Sequence, residues 1–169
     1  MKQEQKVVAI GAASGVVAML LGVWSLTATL PQPPMVDALG ERIAYALRAD
    51  VVALVPLFLM LITVGNSRFF SAAIDPTREV ESTSMGIDVR VANNTFEQTF
   101  GFAVASLALS TLVPFEHLQV VWACTIVFVV ARIVFWIGYR MDPLYRAPGF
   151  SATAYLNLGM IGYVIYHLV

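Results

Sequence analysis

Arg90, Asn94 and Glu97 stand at i, i+4 and i+7, which at about 3.6 residues per turn puts them on one face of a helix. Arg132 and Tyr139 are seven residues apart, on one helical stripe with Phe135 and Trp136 between them, and Arg146 lies seven residues further on. A guanidinium grips a carboxylate with two parallel donors, and a carboxylate can hold an ammonium. A pocket in which these groups meet therefore suits a ligand carrying carboxylates and an amine. The same residues also admit a purely structural arrangement. In it, Arg132 and Glu97 form a buried ion pair between two helices and Tyr139 is an interface aromatic.

Both sets are embedded in apolar sequence. Of the 169 residues, 59% are hydrophobic and only 12% charged, with a mean hydropathy of +0.77, too little polar residue to cover a soluble globule. The composition predicts an integral membrane protein that is all-α. Polar side chains within its spans must then turn away from lipid, toward other helices or a wet cavity. The net charge of −1 speaks against a nucleic-acid partner. A single Cys124 in an apolar run excludes an internal disulfide and leaves zinc without a ligand set; the thiol reads as a small packed hydrophobe.

Five helices are needed to place the polar residues. Val7 to Leu30 carries no charge and is long enough to cross a hydrocarbon core of roughly 30 Å. A signal peptide is the competing reading, but the apolar stretch exceeds the roughly 7 to 15 residues of a signal core. Gly11 and Gly15 form a GxxxG, either a close-packing face for a membrane partner or the ordinary tolerance of glycine in membrane helices. Pro31, Pro33 and Pro34 end this helix. Residues 1–34 thus form an N-terminal region, and residues 43–169 a four-helix membrane domain.

The second helix is expected from about Ile43 to Val64, kinked at Pro56, with Arg48 and Asp50 as interfacial anchors. A polar loop holding Arg68, Asp75, Arg78, Glu79, Glu81 and Asp88 follows. The third runs from near Val89 to about Val113, the fourth from Leu118 to Tyr139, and the fifth from Phe150 onward. Lys2, Lys6, Arg68, Arg78, Arg90, Arg140 and Arg146 collect on one side and Arg42 and Arg48 on the other. The positive-inside rule places the N-terminus in the cytoplasm and the C-terminus outside.

The segment RVANNTFEQTF resembles the RxxxNxxE signature opening the second core helix of the MAPEG family, membrane-associated proteins of eicosanoid and glutathione metabolism. ARIVFWIGYRMDPLYRAPGF resembles the family's third core helix and the loop after it, and the likeness runs from about Asp50 to the C-terminus. It implies a homotrimer with glutathione, as co-substrate, held between neighbouring subunits near the cytoplasmic end. Arg90, Asn94 and Glu97 would bind the tripeptide, with Glu97 near its amine. Tyr139 would lie by the thiol, and Arg146 matches the arginine credited with stabilising the thiolate. Arg68 in NSRFF resembles a basic residue that caps the site from the first core helix, and Arg132 matches a further arginine of the pattern. Phe135 stands where many members have His or Tyr, Gln98 replaces an aromatic of some members, and the first helix is additional.

The implied function is a glutathione transferase or peroxidase acting on lipophilic electrophiles or lipid hydroperoxides drawn from the bilayer. The alternative is a non-catalytic membrane scaffold or accessory subunit that keeps the fold and docks a partner through Gly11 and Gly15. A transporter is disfavoured by the lack of an internal repeat and of paired broken helices. Short loops and no presequence suggest a prokaryotic inner membrane.

Overall fold

The structure, a computed structural model, describes residues 2–33, 38–75 and 81–168. Pro34, at the end of the expected N-terminal region, and Arg78 and Glu79 of the polar loop lie outside them. The described residues form a helical bundle without strands: α1 (Gln3–Thr29), α2 (Leu39–Ala53), α3 (Val55–Phe69), α4 (Thr83–Leu112), α5 (Val120–Met141) and α6 (Ala147–Leu168). Three stretches, Gln3–Thr29, Leu39–Phe69 and Phe115–Met141, are long and apolar enough to cross a membrane. α4 is 30 residues long and α6 is 22.

Each boundary has a local cause. α1 stops at Leu30, whose backbone is extended, just ahead of Pro31. α2 and α3 are one span broken at Leu54, because Pro56 cannot donate the hydrogen bond a continuous helix requires. α4 begins six residues before the expected Val89, where the Ser82 hydroxyl accepts from the Met85 amide; its first turns are polar, and apolarity alone does not register them. The Asp142 carboxylate accepts from the Leu144 amide at 2.7 Å and starts a 3₁₀ turn, Pro143–Arg146, that leads directly into α6.

That turn is tight because two glycines permit it. A Cβ on Gly138 would strike the Tyr145 carbonyl, and one on Gly149 the backbone of Ala131 and Phe135. α5 and α6 are thus antiparallel neighbours in backbone contact. α4 crosses both, α2 and α3 pack on α4, and α1 lies along α6 and α5. The largest apolar cluster includes Met19, Phe102, Leu109, Phe128, Leu156 and Met160, with the Phe102 and Phe128 ring centroids 4.4 Å apart. At the opposite end from the α5–α6 turn, the Arg42 guanidinium donates to the carbonyls of Ser110 and Val113 at 3.2 and 2.8 Å, closing the C-terminus of α4.

Candidate functional site

A cavity of about 590 Å³ opens at the end of the bundle where α4 and α6 begin and α5 finishes. α4 supplies Arg90 and Asn94, α5 supplies Phe135 and Tyr139, the 3₁₀ turn supplies Arg146, α6 supplies Ser151, and α1 supplies Val8 and Ala12. Four of the residues singled out by spacing, Arg90, Asn94, Tyr139 and Arg146, thus share one space. The Arg146 guanidinium stands over the Tyr139 ring, 5.2 Å from its centroid, a cation–π geometry that orients the cation without consuming its hydrogen-bond donors. Phe135 meets Tyr139 edge to face with centroids 5.7 Å apart.

Arg132 is fully buried behind this cavity. It donates to Asn94 Oδ1 at 3.0 Å, to the Gly149 carbonyl at 3.2 Å and to the Thr153 hydroxyl, and lies 4.4 Å from the centroid of Phe135. One guanidinium therefore braces α4, α5 and α6. The conceivable Arg132–Glu97 ion pair does not form, since Arg132 turns to Asn94 and α6 while Glu97 is exposed on α4. The Arg132 charge is met by neutral oxygens, and Asn94, held through its carbonyl oxygen, also lines the cavity.

Two candidates lie elsewhere. Glu97 does not line the cavity. Arg68, at the end of α3, is ion-paired to Glu81 at 2.6 Å and lines none of it. Trp136 does not share the side of Phe135: its indole donates to Asp88 at 3.3 Å. Arg140 makes a two-pronged pair with Asp88 at 2.9 and 2.8 Å, and Asp88 is only 2% exposed. This clamp between α4 and α5 escaped the reading by spacing. Its signal was present as Trp136 and Arg140 one turn apart on α5, with Asp88 in the second turn of α4 to receive them.

Asp50 also departs from expectation. It is buried rather than interfacial, beside the Ser106 hydroxyl of α4. The cause is the earlier start of its helix, at Leu39, which moves Asp50 about three turns into the span. Arg48, two residues away, is exposed.

The sequence model of the MAPEG family matches residues 43–166, from α2 to α6. The chain belongs to the MAPEG family. α1 lies outside the match. The chain is similar to Transmembrane protein 79 of Mus musculus and of Bos taurus, at 28% identity over 140 residues in each case. The matched stretch covers 80% of this chain and 34% of each relative, so the chain spans about a third of the length of the curated relatives it matches. No solved structure matches. Within the MAPEG framework, Arg90 and Asn94 come from the second matched span, and Tyr139 and Arg146 from the third and the turn beyond it.

Proposed function

We propose that the cavity binds glutathione and activates its thiol for attack on a lipophilic electrophile or hydroperoxide, as a transferase or peroxidase. The observation that carries this reading is the convergence of Arg90, Asn94, Tyr139 and Arg146 from separate elements on one cavity. Its size lies within the roughly 300 to 1,000 Å³ typical of small-molecule sites. Arg90 offers a bidentate donor to a carboxylate and the Asn94 amide a further donor. A free thiol has a pKa near 8.5, so a cation beside it enlarges the thiolate fraction at neutral pH. Arg146 is the cation placed to do so, with Tyr139 directing its hydroxyl toward the sulfur.

Homotrimer assembly belongs to the same proposal. A carboxylate exposed on a span, as Glu97 is on α4, is costly against lipid and calls for cover by another protein surface. A neighbouring copy supplies that cover, brings Glu97 toward the ligand's amine and contributes its Arg68. The cationic end of the bundle faces the cytoplasm by the positive-inside rule.

Phe135 favours a second reading, a non-catalytic scaffold of the same fold, because it lines the cavity with a ring that has no hydrogen-bonding group. Thermal denaturation of the purified protein with millimolar glutathione, paired with a chloronitrobenzene conjugation assay, separates the two. Stabilisation together with conjugation supports the enzyme; absence of both leaves the scaffold.

A further inference from the structure

α1 is joined to the rest of the bundle by more than apolar contact. Gly11 is pressed against Ala147 and Pro148, and a Cβ at Gly15 would collide with the Pro148 carbonyl and the Ser151 hydroxyl. The Ser151 hydroxyl lies 2.9 Å from the Ala12 carbonyl, an interhelical hydrogen bond to a backbone group of α1. At the far end the Gln32 amide donates to the Glu116 carbonyl at 3.2 Å. α1 is therefore anchored to α6 near its start and, through Gln32 just beyond its end, to the turn that precedes α5.

This docking divides what lies beside α6. On one flank of α1 is the polar cavity, with Val8 and Ala12 in its wall. On the other is a nearly wholly apolar groove of about 420 Å³ running from Ser14 to Leu26 of α1 along α5. The Gly11 and Gly15 contacts with Ala147, Pro148 and Ser151 sit between the two. A long apolar chain held in the groove is thereby cut off from Arg146 and Tyr139.

We propose that α1 is a wall of the functional site and that Val8 and Ala12 are specificity-determining residues, which confine the second substrate to molecules short enough to lie between α1 and α4. The wall follows from the geometry alone; only the nature of the contents rests on the glutathione reading. α1 thus presents one strip, Val8 and Ala12, to the cation-lined cavity, while Ala13, the next residue along, is exposed on the outside of the bundle.

Cysteine accessibility tests this in the full-length chain. In a Cys124→Ala background, reconstituted in nanodiscs, Ala12→Cys and Ala13→Cys are treated with an anionic, membrane-impermeant methanethiosulfonate. Ala12→Cys should react at least about tenfold faster, since nearby cations and water favour thiolate, and adding Gly15→Leu to undock α1 should remove the difference. Equal rates at the two positions overturn the wall. Protection of Ala12→Cys by S-methylglutathione, which has no free thiol to consume the reagent, supports both proposals, whereas fast labelling without protection leaves the wall standing and sinks the glutathione reading. For specificity, Ala12→Trp should lose thermal stabilisation by S-hexylglutathione more than by glutathione; equal losses overturn the specificity role.

Discussion

Two arginines of the site do different work, and their surroundings say which. Arg146 is exposed and touches one aromatic ring, so its removal should spare the fold and change the chemistry. Arg146→Ala is expected to lower kcat/KM for conjugation about a hundredfold, the scale seen when one preorganised charge-stabilising donor is lost, with an unchanged melting temperature. The ultraviolet thiolate absorbance of bound glutathione should fall with it, and persistence of that signal would remove Arg146 from its role. Arg132 is the reverse case. Lysine has neither the planar fork nor the reach to serve Asn94, Gly149 and Thr153 together. Arg132→Lys should therefore destabilise the protein by about 2 kcal/mol through unmet buried acceptors, read as a lowered unfolding temperature in detergent.

At the scale of elements, the cavity depends on how α4 meets α5. The Asp88–Arg140 pair makes that joint unequal, because Arg140 is about half exposed and Asp88 is buried. Removing Asp88 frees an arginine that water can solvate, whereas removing Arg140 strands a buried carboxylate on the Trp136 indole alone. Arg140→Ala should thus cost more stability than Asp88→Ala, by about 1 kcal/mol, and chemical or thermal denaturation of the two variants checks the order. An equal loss would mean that Asp88 is better hydrated than its burial indicates. α1 is legible as a span because its uncharged run needs no partner to be recognised, yet its side of the bundle was not. Sequence offered Gly11 and Gly15 as a face for a separate membrane partner; the fold spends that face on α6.

At the scale of the whole molecule, Arg68 and Glu97 are the residues the single chain does not bring to the cavity. Assembly of several copies is the arrangement that would use both, and it has a genetic signature. Co-expression of an Arg68→Ala chain with an Arg90→Ala chain should recover conjugation activity that neither has alone, because some mixed assemblies would contain one intact shared site. No recovery at matched expression would place each site within one chain and leave Arg68 as the structural partner of Glu81.

The helical class, the membrane environment, the kink at Pro56 and the spacing that groups Arg90 with Asn94 and Arg132 with Tyr139 were all determined by sequence. Apolar run length, proline chemistry and helical period are local properties, and each is complete within a few turns of chain. What Arg132 touches was decided only by tertiary structure, as were the burial of Asp50, the clamp on Asp88 and the placing of α1 against the cavity. Each of these depends on which helices become neighbours and on how closely glycines such as Gly15, Gly138 and Gly149 let backbones approach. A side chain's position on its own helix is set by the chain that carries it, while its partners are set by packing between elements far apart in sequence.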